Sequence, residues 1–211
     1  MPVILVANSK GGVGKSTVAS NLAGFYAGRG ERTMLGDLDR QQSIGSWLKL
    51  RPTTAPSITS WDFSDKGVAK PPRDVTHIVL DTPSGIDGPA LRDAVKVSAK
   101  IIVPLQASLF DIQATHAFIG KLAEYGATPG NGRVAIVGTR VDPRTRAANQ
   151  LHRYVEDAGI PFLGFLRDTQ NYVQLSAQGL TLWDVAPARV QQDLEQWTPI
   201  INWTSNGRRK V

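Results

Sequence analysis

The sequence predicts an α/β protein in three layers, with a mostly parallel twisted sheet covered by helices on both faces. Short apolar runs recur along the chain and alternate with stretches of helical periodicity, the pattern of consecutive βαβ units. The runs are almost uniformly apolar, as strands buried on both faces have to be. The first run also feeds directly into a glycine-rich turn that opens a helical stretch, the strand–turn–helix context of a P-loop.

In order, Val3-Ile4-Leu5-Val6-Ala7 predicts a strand over 3–8 and Thr17 to Tyr26 a helix over 15–29. Met34-Leu35-Gly36-Asp37 closes a strand over 33–37, followed by a helix over 41–50. The Pro-, Thr- and Ser-rich stretch from Arg51 to Arg73 reads as a loop excursion with one short strand near 58–61. His77-Ile78-Val79-Leu80-Asp81 is a strand that ends in an acid, with a helix over 88–97 after it. A strand over 100–104 and a helix over 111–125 come next. Val134 to Thr139 and Phe162 to Leu166 are two more buried-strand patterns, separated by a helix over 144–158. Helices over 170–178 and 187–197 complete the chain, the last one ending before Pro199.

A length of 211 residues suits one α/β domain spanning 1–211, with a basic tail from about 204 to 211. No apolar run reaches the roughly 18–20 residues of a membrane span, and no signal peptide or helix-turn-helix is expected ahead of the first strand. The chain has no cysteine, which excludes disulfide and thiolate chemistry, and its three histidines (His77, His116, His152) are too scattered to suggest a metal site.

The chemistry concentrates in Lys10-Gly11-Gly12-Val13-Gly14-Lys15-Ser16-Thr17. Glycines at 11, 12 and 14 let successive N–H groups turn inward toward phosphate oxygens, and the positive end of the next helix adds to that field. Lys15 can reach the β- and γ-phosphates, and the Ser16 hydroxyl can ligate Mg²⁺. Ser9 stands where the strict spacing has its first glycine. Asp81 at a strand end is a Walker B acid, able to hold Mg²⁺ directly or through water beside Ser16. Gly85, just beyond, can let that loop sense a γ-phosphate through its backbone. Asp37 and Asp39, at i and i+2, project to one side of a strand end. One can orient a water on the γ-phosphate while the other supports Mg²⁺ or Lys15. Lys10 is the unusual member: at the tip of the loop it points away from its own phosphates and can reach a triphosphate on a second subunit, unless it is simply a solvated cation.

Lys10 to Thr17 resembles the deviant Walker A box of the ParA/MinD ATPases, and Met34-Leu35-Gly36-Asp37-Leu38-Asp39-Arg40-Gln41-Gln42-Ser43 resembles that family's D-x-D-P-Q segment at the end of the second strand, with Arg40 where proline is usual. The similarity continues through Phe165-Leu166-Arg167-Asp168 and Ala177 to Trp183. It implies that Lys10 crosses a dimer interface to the partner's nucleotide, that Asp39 positions the attacking water near the metal, and that Asp37 supports it. It implies ATP and Mg²⁺ as cofactors and places Thr139 and Arg140 near the adenine. It also implies an ATP-state homodimer that binds double-stranded DNA without sequence choice and is released by a ParB-like or adaptor protein that stimulates hydrolysis. Such a protein is cytoplasmic and nucleoid-associated, and the lack of an amino-terminal helix-turn-helix in its small members predicts no operator recognition.

Composition agrees: the net charge is +6, and duplex DNA needs phosphate-facing cations above all. Arg144, Arg146, Arg167 and Arg189 are the candidate DNA contacts, with Arg140, Arg153 and the Arg208-Arg209-Lys210 tail adding charge. The alternative is a MinD-like membrane-surface ATPase, for which Val190, Leu194, Trp197 and Ile201 would be the stripe lying on a bilayer. Asp193 and Glu195 interrupt that face, so the stripe is expected to pack on the core and a membrane partner is not expected. Iron–sulfur relatives need bridging cysteines, which this chain lacks. A kinase or synthetase would need an acceptor pocket that no residues mark.

Overall fold

Unbroken apolar runs become strands here because each is covered twice. The computed structural model describes residues 2–38, 43–61, 63–64, 67–68 and 71–205. Its main sheet holds β1 (Val3–Val6), β2 (Thr33–Asp37), β3 (Ile58–Trp61), β6 (His77–Asp81), β7 (Lys100–Leu105), β8 (Val134–Thr139) and β9 (Phe162–Leu166). They are ordered β3-β2-β6-β1-β7-β8-β9, and every neighbouring pair is parallel. A small antiparallel pair, β4 (Phe63–Ser64) with β5 (Gly67–Val68), forms within the stretch expected to be loop.

The alternation of side chains along β1 shows the layering. Val3 and Leu5 face a core completed by α3 (Gly88–Val97), α4 (Leu109–Glu124) and α5 (Arg146–Asp157), through Leu91, Phe118, Leu122, Leu151 and Val155. Ile4 and Val6 face the other core, completed by α1 (Lys15–Gly28), α2 (Ser43–Leu50), α6 (Gln170–Ser176) and α7 (Pro187–Ser205), through Leu22, Tyr26, Trp47, Leu175 and Trp197. Side chains of Ser108, Thr145 and Thr169 accept backbone N–H groups at the starts of α4, α5 and α6, fixing where those helices begin.

Two tertiary restraints hold the second face. Gly24 lets α1 approach Thr181 so closely that a Cβ there would lie 2.4 Å from Thr181 Oγ1. Arg51, just past α2, makes a two-pronged ion pair with Asp184, in a 3₁₀ turn at Leu182–Asp184. Both side chains of that pair are buried.

The last helix corrects the expected boundary at 197: α7 runs to Ser205 with Pro199 inside it. Proline removes one helical hydrogen bond, but Ile200 and Thr204 beyond it are buried, and Tyr26 Oη donates to Thr204 Oγ1 at 2.9 Å. The helix bends instead at Val190, whose φ/ψ of −131°/20° is not helical. Val190 and Trp197 are buried and Leu194 and Ile201 pack against the same core, so the apolar stripe faces the sheet. Among the described residues no helix is long and apolar enough to cross a membrane.

Candidate functional site

Parallel strands in level register bring their carboxyl ends to one rim, where sheets of this kind bind ligands. Val6 lies opposite Asp81, and Asp37 opposite Asp81 on the other side. The loop from Lys10 to Gly14 leaves β1 at that rim and enters α1, with Gly12 and Gly14 at φ 75° and 84°, left-handed values that glycine adopts without strain. Gly14 caps α1 with its backbone alone. The Lys15 ammonium is buried and turns back to donate to the Lys10 carbonyl at 2.6 Å, so the charge sits across the mouth of the loop. Lys10 goes the other way: its Nζ lies 3.3 Å from Asp111 Oδ1 at the start of α4, on a half-exposed side chain. The sequence separates the two lysines by role, and the structure separates them in direction.

Polar contacts fix the loop's frame, and those Asn8 makes to Pro104 and Thr115 and that of Thr139 are buried. Asn8 Nδ2 donates to the Pro104 carbonyl at 2.8 Å and to Thr115 Oγ1 at 2.9 Å, while its Oδ1 accepts from the Lys10 N–H. Gln106 Nε2 donates to the Gly12 carbonyl at 3.0 Å, and Thr139 Oγ1 to the Val13 carbonyl at 2.9 Å. Gly85 N–H donates to the Ser9 carbonyl at 2.8 Å, joining the loop after β6 to the phosphate loop.

The acids assemble beside the loop. Ser16 Oγ donates to Asp81 Oδ2 at 2.5 Å, and Thr82 N–H donates to Asp81 Oδ1. Burial drives the Asp81 carboxyl up to about 7; the Ser16 hydrogen bond opposes this and the neighbouring Asp37 carboxylate adds to it. A buried carboxylate with a like charge alongside is a place that a cation would relieve. Ser16 and Asp81 present hard oxygens only, and Mg²⁺ typically takes one or two such protein ligands plus phosphates. This donor set fits that ion. Asp37 also accepts the Ile44 N–H at 2.9 Å, anchoring the first turn of α2, a role the sequence did not signal. Asp39, expected to position water and metal, lies outside the described residues, as do Arg40 and the Arg208-Arg209-Lys210 tail.

On the far side of the loop a pocket of about 260 Å³ opens between α1, β8, β9 and α6. Gly14, Thr17, Val18, Thr139 and Arg140 line one wall, and Leu166, Asp168, Thr169, Tyr172 and Val173 the other. Thr139 and Arg140 were expected on this rim, and Arg140 holds a left-handed φ of 54°. The second wall was not foreseen, although the end of the last buried strand pattern at Leu166 was the available sign.

The candidate DNA arginines fare differently. Arg144 and Arg146 are exposed at the start of α5, but Arg144 is held by its neighbour Asp142 through Nε and Nη2, which lowers the Asp142 carboxyl to about 2. Arg167 is turned toward α7, donating to the buried Asp193 at 2.5 Å and to Gln192 at 2.6 Å. Arg189 is exposed near the start of α7.

A parallel sheet with a phosphate loop after its first strand, a buried lysine across that loop and a serine–aspartate pair beside it defines a P-loop nucleotide-binding protein. Residues 4–182 match the CobQ/CobB/MinD/ParA nucleotide binding domain, and the chain belongs to that family. It is 31% identical over 185 residues to the maintenance of carboxysome distribution protein A of Gloeobacter kilaueensis, covering 85% of this chain and 83% of that one. It is 27% identical over 183 residues to the chromosome-partitioning ATPase Soj of Thermus thermophilus, covering 70% of this chain and 73% of Soj. The fold is shared with a putative plasmid partition protein of Borrelia burgdorferi bound to AMPPNP, at a TM-score of 0.74 and 18% identity, covering 95% of this chain and 98% of that one. The chain is thus a member of the partition and positioning ATPase family.

Proposed function

We propose that this chain is a single-domain ATPase that works as a switch: ATP and Mg²⁺ bind at the loop, two copies close over the nucleotides, and the dimer holds duplex DNA until partner-stimulated hydrolysis releases it. The observation that carries the reading is the divergence of the two lysines. Lys15 lies across the mouth of its own loop, whereas Lys10 extends outward to Asp111. A cation displayed beside a phosphate site, and not within it, suits a nucleotide bound by a second copy.

In this reading the N–H groups of Gly11 to Thr17 and the Lys15 ammonium hold the triphosphate, Ser16 and Asp81 hold the metal, and Asp39 orients the attacking water. Mg²⁺ held there would supply positive charge against the negative charge of the phosphates. Asp37 steadies the rim through α2. The pocket beside Thr139 and Arg140 is large enough for a base, with Leu166 and Val173 as apolar walls and Asp168 and Thr169 as polar edges. The relatives favour a cargo of the positioning kind, a plasmid, a chromosome locus or a protein assembly. The α7 stripe packs inward, which weighs against the membrane-surface alternative. Arg146 and Arg189 are exposed and, among the described residues, make no ion pair, so they are better DNA candidates than Arg167, which Asp193 holds. The setting that follows is the cytoplasm, on the nucleoid.

The test is retention of non-specific duplex DNA by wild type and by Lys10→Ala, with ATP or ADP. Wild type is expected to bind only with ATP, while Lys10→Ala keeps nucleotide binding and loses both dimer and DNA. A Lys10→Ala protein that still forms an ATP dimer by light scattering removes the cross-subunit role. Pelleting with anionic liposomes but not with DNA replaces the DNA reading by the membrane one.

A further inference from the structure

We propose that Leu109 and Phe110, the first two residues of α4, form an apolar contact that a second copy of this chain covers in the nucleotide-bound dimer. The inference rests on the sandwich reading above and names a surface that reading does not specify. Leu109 is 65% exposed and Phe110 76%. Among the described residues, the other large exposed hydrophobics are Leu50, isolated at the end of α2, and Val173, which lines the base pocket. Only 109 and 110 form an adjacent pair, and neither serves the core, since α4 buries Thr115, Phe118, Ile119 and Leu122. Two adjacent exposed apolar side chains make one contiguous patch, whereas hydrophobics scattered singly over a surface need no explanation.

What covers them follows from what they are tied to. The first half of α4 and the turn before it are tied to the phosphate loop and its approach: Asp111 pairs with Lys10, Gln106 donates to the Gly12 carbonyl, and Asn8, just ahead of the loop, donates to Thr115. Leu109 and Phe110 therefore ride beside Lys10 on the same edge. A subunit whose nucleotide Lys10 reaches is brought against the end of α4 that carries these two side chains. In a two-fold dimer each copy presents the same patch, so a change at Phe110 counts twice.

The experiment is sedimentation equilibrium with Mg²⁺ and a hydrolysis-resistant ATP analogue, on wild type, Phe110→Ser and Leu50→Ser, with nucleotide affinity measured separately. Removing two buried phenylalanines per dimer is expected to weaken dimerisation by roughly 100-fold or more. Nucleotide affinity of the monomer and the behaviour of Leu50→Ser should stay as in wild type. Because the chain has no cysteine, Phe110→Cys carries a single environment-sensitive label, whose emission should shift to the blue with the analogue and not with ADP. A Phe110→Ser protein that dimerises as tightly as wild type overturns the inference while leaving the sandwich intact. So does a label that responds only when DNA or another protein is added, which would make the patch a partner's docking site. A wild-type chain that binds the analogue and stays monomeric defeats the sandwich reading itself.

Discussion

Asp81→Asn should make the protein more stable and its site useless, and the two effects can be read in one set of thermal melts. The folded chain holds the Asp81 carboxyl up to about 7 against an ordinary 3.8. At 1.36 kcal/mol per tenfold change in proton affinity, that gap caps the cost of the ionised group in the metal-free protein at about 4 kcal/mol. An amide of the same shape carries no charge to desolvate and meets no repulsion from Asp37, but it gives up one acceptor. About 2 kcal/mol of net stabilisation at pH 8 is the expectation, or roughly 4–8 °C in Tm for a chain of this size. The sign with pH is fixed by the raised value. Between about pH 4 and pH 7 the folded state carries a proton the unfolded state has lost, so stability of the parent falls as pH rises through that window and levels off above it. The Asn variant should lack that slope, and its advantage should shrink toward pH 5. Adding Mg²⁺ and ATP should raise the parent's Tm and leave the variant's almost unmoved. An Asn variant no more stable than the parent at pH 8 without metal would refute the argument that burial strains this carboxylate.

Two further outcomes follow from other parts of the chain. Arg51→Ala strands the buried Asp184 carboxylate, and losing one partner of a buried pair costs about 3–5 kcal/mol; urea unfolding should show it, with nucleotide affinity measured below the transition little changed. Asp39→Ala should leave ATP binding and dimer formation intact while phosphate release falls to background, and unaltered turnover would transfer the water-positioning role to Asp37.

The layers and strands were legible because two-sided burial writes itself as unbroken apolar runs; β2, β6, β8 and β9 begin and end where the pattern places them. The phosphate loop was legible because its requirements are local: glycines at left-handed positions, a lysine, a hydroxyl. What escaped depends on partners far away in sequence. Pro199 reads as a stop, yet burial of Ile200 and the Tyr26–Thr204 hydrogen bond carry α7 past it. Arg167 reads as a free cation after a strand, and only the fold brings Asp193 under it. Arg144 is the opposite case, since Asp142 stood two residues away and its capture was visible in the sequence. No pattern announces that Asp37 anchors α2, or that Asp111 meets Lys10.

Asn8 illustrates what such distant contacts do collectively. Its one carboxamide is divided among strand, loop and helix, through Pro104, Lys10 and Thr115. It works as a spacer gauge: the height of the phosphate loop above the sheet and the setting of α4 beside it are read off the same planar group. Neither can shift by more than the slack of a hydrogen bond without disturbing the other. A protein that presses on α4 therefore presses on the loop, and can hasten or slow the chemistry there without ever touching the nucleotide.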